Sequence, residues 1–104
     1  MAAVEHLPEI ARRLGEALAE RLRDEPVVRA LWVLDSPGRL DFWIVTDEID
    51  FDADWELRAK GHFLYDLAPD VDILIHTVNS LWYGVSDPAL VIPDEATPIA
   101  LHAA

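Results

Sequence analysis

The 104-residue chain contains no cysteine, so it can form neither a disulfide framework nor a metal site built on thiolates. No apolar run approaches the roughly 20 residues that span a bilayer. Residues 1–7 also lack the basic segment and long apolar stretch that mark a signal peptide. We therefore expect a cytoplasmic protein with no membrane attachment.

Basic residues are scarce as well. The chain has 8 Lys and Arg against 20 Asp and Glu, which gives a formal net charge of −12, and no Lys or Arg follows Lys60. A surface this acidic repels phosphate backbones. We therefore expect no direct nucleic-acid binding unless metal ions or a basic partner intervene, and the simplest reason for the acidity is solubility.

Apolar residues, by contrast, are abundant. They make up 52% of the chain and include four tryptophans, which favours a packed globule over disorder. At this length we expect one domain over residues 1–104, burying more than roughly 60% of the surface of the unfolded chain.

The first half of the chain predicts a helix followed by a β-hairpin. Apolar residues recur at helical steps within a predicted helix over residues 8–24: they are Leu7, Ile10, Leu14, Leu18 and Leu22. Strands are predicted at residues 27–34 and 40–46. Pro37 and Gly38 suit the two central positions of a type II turn between them, and a link this short predicts antiparallel pairing.

The acid-rich run over residues 47–56 does not encode a calcium loop. Trp55 stands where an EF-hand needs glycine, and Gly61 stands where it needs the bidentate glutamate. The run instead predicts a helix N-terminus capped by Asp50 or Asp52. This helix should continue to about residue 68, with a buried side formed by Trp55, Ala59, Phe63, Leu64 and Leu67.

A third strand is predicted at residues 71–78, with Ile73 and Ile75 on one face and Asp72, Leu74 and His76 on the other. The remaining tail is broken by prolines, with possible short strands at residues 81–85 and 99–102. The predicted order is α-β-β-α-β with an irregular tail. This describes an α/β (α+β) fold in which helices cover one face of a small mixed sheet.

Two aspartates stand near the starts of apolar, strand-like segments, Asp41 in residues 40–45 and Asp72 in residues 71–75. Burying an ionised, unpaired carboxylate is costly, so these positions suggest a shared site for a metal ion or for arginines. On neighbouring strands the carboxylates could lie about 5 Å apart, where they repel unless a cation joins them. Mg²⁺, which binds oxygen ligands, would suit phosphoryl or nucleotidyl transfer there.

In order and spacing, residues 8–78 resemble the minimal nucleotidyltransferases, small relatives of the DNA polymerase beta catalytic domain. Those proteins carry a Gly-Ser pair after the first strand, an Asp-x-Asp pair on the second and a further Asp on the third. Asp41 matches the second Asp of the pair, Asp72 matches the third-strand Asp, and residues 96–101 match a closing edge strand. The resemblance implies Mg²⁺ as cofactor, Asp41 and Asp72 as catalytic metal ligands, and Ser36 in cofactor binding.

The chain departs from that family pattern around the first turn. Asp35 precedes Ser36 where the family has glycine, and the helical excursion that shapes the family's triphosphate site is missing. Arg39 replaces the first Asp of the pair. Because residues two apart on a strand point the same way, Arg39 can pair with Asp41 and occupy the place of a metal. We therefore expect a degenerate site that has become a salt-bridge cluster.

Other residues offer weaker signals. His76 shares a face with Asp72 but lies about 13 Å along the strand, too far for a direct dyad, so we expect it packed or exposed. Ser36 has no adjacent base or nucleophile-elbow context, which argues against a serine hydrolase. Trp82 and Tyr83 are the aromatic pair expected to be exposed and to anchor a partner.

These observations predict one function and leave two alternatives. The first is a nucleotidyltransferase-like domain with a degenerate metal and phosphate site, without a cofactor, acting as a non-catalytic binding or regulatory module beside a protein partner. The first alternative is an active Mg²⁺-dependent nucleotidyltransferase whose partner supplies the missing groups. The second is an unrelated acidic interaction module that forms homodimers through the hairpin edge or the apolar tail.

Overall fold

The computed structural model describes residues 8–79 and 91–101. In chain order its elements are α1 (Glu9–Leu22), β1 (Val28–Ser36), β2 (Arg39–Thr46), α2 (Phe51–Ala59), α3 (Phe63–Leu67), β3 (Asp72–Asn79) and β4 (Thr97–Ile99). The strands form one mixed sheet in the order β3-β2-β1-β4. β1 runs antiparallel to β2 and β4, whereas β2 and β3 are parallel. The predicted α+β class and mixed sheet are confirmed.

The β1–β2 hairpin is closed by Pro37 and Gly38, since Ser36 and Arg39 already pair across it. Gly38 has a φ of 79°, a conformation that glycine adopts without a steric penalty. Gly38 thus supplies the positive φ that the predicted type II turn requires at its second central position. Both strands reach closer to the turn than predicted.

Side chains alternate between two faces of the sheet, which we call the helix face and the second face. The helix face carries the main core, where α1, α2 and α3 bury residues such as Leu18 and Leu64 against Phe42 of β2. The second face carries a smaller cluster in which Ile92 and Ala96 pack near partly buried tryptophans. The described helices all pack on one face, as predicted.

The prediction of one helix continuing to residue 68 is wrong, because α2 ends at Ala59 and α3 begins at Phe63. Gly61 lies in the break and is buried. A Cβ atom placed on Gly61 would meet Ile75 Cδ1 at 2.5 Å. A larger residue here would require the tip of the Ile75 side chain to shift, and the chain turns at this point instead of continuing as a straight helix.

The predicted buried side of this region is also wrong in part. Trp55 and Leu67 are 55% and 59% exposed, whereas Asp54 and Leu57 are the buried residues of α2. Hydrogen bonds from β3 to Asp54 hold this side of the helix against the sheet, which turns Trp55 outward. The predicted cap is confirmed, since the Asp50 side chain accepts a hydrogen bond from the N–H of residue 53.

Two further expectations concern the ends of the described chain. Ile10, predicted to be buried by α1, is 40% exposed. β4 falls within the predicted closing edge strand at residues 96–101, whereas the predicted strand at 81–85, with the Trp82–Tyr83 anchor, lies outside the described residues.

Across 8–79 and 91–101, no helix combines the length and the apolar character needed to cross a membrane.

Candidate functional site

Asp41 lies on β2 with its side chain on the second face, because Leu40 and Phe42 on either side belong to the core of the helix face. β2 is flanked by β1 and β3, and Asp41 is only 3% exposed. An ionised carboxylate at such a position is stable only if other groups bind it.

Two side chains bind the Asp41 carboxylate. Arg39 Nε donates a hydrogen bond to Oδ2 over 3.0 Å, and His76 Nε2 lies 2.8 Å from Oδ1. Trp43, the next residue on the same face of β2, stacks on the His76 ring with centroids 5.2 Å apart and ring planes 18° apart. The predicted Arg39–Asp41 pair is confirmed, and both oxygens of Asp41 are engaged.

Asp72 lies at the start of β3 and is exposed. Its strand does neighbour β2, as a shared site requires, but Asp72 pairs in register with Arg39, and Leu74 pairs with Asp41. For ordinary strand dimensions this offset separates the Cα atoms of the two aspartates by about 8 Å. The closest partners of the Asp41 carboxylate are thus Arg39 and His76.

Ser36, which the family resemblance assigns to cofactor binding, is half-buried at the end of β1, opposite Arg39. Phosphate sites in proteins commonly depend on a loop or a helix N-terminus whose backbone N–H groups surround the anion. Here Pro37 and Gly38 alone connect the two strands, so the hairpin has no loop long enough to surround a phosphate group.

These residues do not fit a resident Mg²⁺ ion. Mg²⁺ requires a near-octahedral set of oxygen ligands, whereas both oxygens of Asp41 bind Arg39 and His76. The positive charge of Arg39 also opposes a cation at this position. Among the residues that the structure describes, no three His, Asp or Glu side chains are grouped as a metal site requires.

A second buried carboxylate, Asp54, lies on the helix face and is also 3% exposed. Thr77 Oγ1 donates a hydrogen bond to Oδ1 over 2.8 Å, and Asn79 Nδ2 donates to Oδ2 over 3.2 Å. Arg58 Nε, one turn further along α2, lies 3.2 Å from Oδ1. Asn79 also bonds both backbone groups of Ile49. This network fixes α2 and the preceding loop to β3.

A third aspartate, Asp47, pairs with Arg29 at the surface. The guanidinium binds the carboxylate through two bonds, Nε to Oδ1 over 2.6 Å and Nη2 to Oδ2 over 2.7 Å. The hydrogen bond from Arg29 lowers the pKa of the Asp47 carboxyl, and the same bond raises the pKa of Arg29. Both side chains are well exposed, so this ion pair lies at the surface and does not enclose a binding site.

Sequence reasoning missed the role of His76. The residue lies four positions along β3 from Asp72, as expected, but parallel pairing places it opposite Trp43 and diagonal to Asp41. Alternation along the two strands already puts these side chains on one face. The missing information was the register between the strands. Asp54 was missed because it stands within an acid-rich run that looks solvated.

Comparison with known proteins gives information about the fold of this chain. No protein-family model matches the chain, and no curated protein matches it. The chain is similar to a chain of a solved structure described as a tri-AMPylated Shewanella oneidensis HEPN toxin in complex with MNT antitoxin. The TM-score is 0.53 at 18% sequence identity, over 90% of this chain and 73% of that one. This likeness supports a minimal nucleotidyltransferase-like fold.

Proposed function

We propose that residues 1–104 form a single nucleotidyltransferase-like domain whose metal and phosphate site is degenerate, and that it is a non-catalytic binding or regulatory module. The observation that carries the proposal is the Asp41 carboxylate, bound on one oxygen by Arg39 and on the other by His76. Both oxygens of this carboxylate are engaged, and the positive charge of Arg39 opposes a metal ion beside them. In this proposal the Asp41 carboxylate holds the Arg39 and His76 side chains together at the protein surface.

The hairpin between β1 and β2 supports the same proposal. Nucleotidyl transfer depends on holding the triphosphate in place and neutralising its charge. The turn at Pro37 and Gly38 is too short to form a loop of backbone N–H groups around a phosphate. The net charge also supports a non-catalytic role, because a chain with a charge of −12 repels a nucleoside triphosphate unless cations intervene.

A protein partner is part of the proposal. The structure to which this fold is similar is described as a toxin in complex with an antitoxin, and we infer that this chain likewise binds another protein. The acidity of the chain favours a basic partner surface. We expect the complex to form in the cytoplasm.

The test is to add Mg²⁺, Mn²⁺ and Mg²⁺-ATP to the protein and to measure binding by titration calorimetry and stability by thermal unfolding. We expect neither heat of binding nor a shift in melting temperature. Arg39→Asp is the matched variant, because it removes the competing guanidinium and restores a second carboxylate beside Asp41. We expect this variant to bind Mn²⁺ more tightly than the wild-type protein does.

The main alternative is an active Mg²⁺-dependent nucleotidyltransferase working with a partner. It is favoured by one observation, the location of Asp41 and Asp72 on the same face of adjacent parallel strands. Tight Mg²⁺ binding by the wild-type protein that disappears in both Asp41→Asn and Asp72→Asn would establish this alternative and overturn the degenerate site.

A further inference from the structure

The two edge strands of the sheet are built differently. β4 has three residues, and its central one is Pro98, which cannot donate a backbone hydrogen bond. β3 has eight residues and contains no Pro, Lys or Arg. Its pairing with β2 continues through all eight positions without a bulge. One edge is therefore short and interrupted, while the other is long and regular.

Exposed strand edges are hazardous because their unpaired N–H and C=O groups can pair with another chain. Proteins usually protect such edges with short strands, prolines, bulges or lysines, and β4 shows two of these devices. β3 shows none of them. Among the described elements only β2 pairs with β3, so the regularity of β3 preserves an edge on which a further strand could add.

A groove with a mixed polar and apolar lining adjoins the β3 edge. It has a volume of about 250 Å³ and is lined by Trp55, Arg58, His62, Tyr65, Leu74 and Ile75. Trp55, Tyr65 and Leu74 are 55%, 41% and 39% exposed, respectively. Large aromatic side chains are enriched in the centres of protein interfaces. The groove thus places side-chain contacts directly beside the backbone groups of the edge.

The charges around this edge favour a basic occupant. Asp66, Asp70 and Asp72 are exposed just before the edge or at its start, and no Lys or Arg occurs after residue 60. Arg58 is the one arginine or lysine lining the groove, and Asp54 lies 3.2 Å from it. A second copy of the chain, with a charge of −12, would be repelled, whereas lysines or arginines would be attracted.

We propose that the β3 edge and the adjoining groove bind an extended, Lys- or Arg-bearing segment of a partner protein, which adds to the sheet as a further strand. Backbone hydrogen bonds to residues 72–78 supply affinity in this mode, and alternate side chains of the segment supply specificity. The inference deepens the proposed function, since it rests on the chain being a binding module and identifies the surface and the kind of partner.

The test uses isotope-labelled full chain and synthetic peptides of about nine residues in which Lys alternates with Val or Tyr. Matched peptides carry Glu in place of Lys. In NMR titrations we expect shifts of the amides of residues 72–78 and of the Trp55 indole. The Lys peptides should bind at least about tenfold more tightly than the Glu peptides, because like charges suppress the wrong partner.

Two variants examine the surface itself. Leu74→Lys introduces the protective residue that the edge lacks, and Trp55→Ala removes the groove aromatic; each should weaken Lys-peptide binding by about tenfold or more. Both side chains are exposed, so folding is retained, which the NMR spectrum verifies. Ile10→Ala is the matched control, since Ile10 is a similarly exposed apolar residue on α1, and it should leave binding unchanged.

The proposal is overturned if Lys peptides cause no shifts along β3, or if Glu peptides bind equally well. It is also overturned if the wild-type chain forms a concentration-dependent dimer that Leu74→Lys dissociates, because the occupant is then a second copy. If the protein binds both Mg²⁺-ATP and the Lys peptides at β3, the proposal of a degenerate site is rejected. The assignment of β3 as a peptide-binding surface then still holds.

Discussion

Asp41 and Asp54 are equally buried, each 3% exposed, yet they lie on opposite faces of the sheet and have different partners. The Asp54 carboxylate accepts hydrogen bonds from uncharged β3 side chains beneath a helix. The Asp41 carboxylate is bound by an arginine and a histidine whose side chains are 50% and 38% exposed, respectively.

This difference separates a structural carboxylate from one at a surface site. Thr77 and Asn79, which donate hydrogen bonds to Asp54, are buried, so these bonds hold a helix against the sheet. Arg58, the third partner, has a side chain that is 40% exposed and reaches solvent. The groups that bind Asp41 are partly exposed to solvent, where another molecule can contact them. Burial of a carboxylate therefore does not by itself indicate its role, and the exposure of the side chains that hydrogen-bond it separates these two cases.

Replacing Asp54 should have the largest effect. Asp54→Ala leaves the Thr77 and Asn79 donors without their acceptor and Arg58 without its counter-charge. Removing one partner from a buried charged network costs about 3–5 kcal/mol. We expect that loss in the free energy of unfolding, measured by urea denaturation followed by circular dichroism.

Asp52→Ala provides the control for this prediction, because Asp52 lies in the first turn of the same helix and is exposed. Exposed substitutions of this kind usually change stability by no more than about 0.5 kcal/mol. A loss below about 1 kcal/mol in Asp54→Ala, a typical value for one ordinary hydrogen bond, would show that the network does not hold α2 to β3.

Asp41→Ala should destabilise the protein less, by about 1–3 kcal/mol. Its partners Arg39 and His76 are partly exposed and regain contact with water when the carboxylate is removed. The same urea denaturation measures the loss. A cost equal to that of Asp54→Ala would contradict the distinction between the two aspartates.

A double-mutant cycle with Arg39→Ala then isolates the pair. We expect a coupling energy of about 0.5–1 kcal/mol between Arg39 and Asp41, since half-exposed ion pairs are weak and residues in contact are non-additive. Zero coupling would mean that the contact between Arg39 and Asp41 contributes no stability in solution, and the proposal of a degenerate metal site would lose its main support.

Much of this arrangement could be predicted from local patterns. Alternation from residue 39 to residue 41 placed Arg39 and Asp41 on one face, and the structure confirms their contact. The short link at Pro37 and Gly38 required an antiparallel hairpin, which β1 and β2 form. These predictions hold because each depends on residues close in sequence, where strand geometry and turn chemistry decide the outcome.

The remaining features depend on contacts between distant residues. His76 reaches Asp41 only in one register of β2 against β3, and register is set by packing across the whole sheet. The orientation of α2 is decided by Asp54, which stands in an acid-rich run without a clear apolar stripe. Sequence alone therefore could not show which of the neighbouring acids turns inward.

Asp47 extends the comparison to an exposed aspartate, and its effect should be the smallest. Arg29 lowers the pKa of Asp47 in the folded protein, so the pair contributes stability above the unfolded-state pKa of about 3.9 and loses it as pH falls through the folded pKa. Asp47→Asn should therefore lower the melting temperature slightly near neutral pH but not in strong acid. Glu48→Gln, an exposed neighbour, controls for the change in net charge. A difference that persists unchanged at about pH 2, where carboxylates are protonated, would show that the Asp47 charge is not its cause.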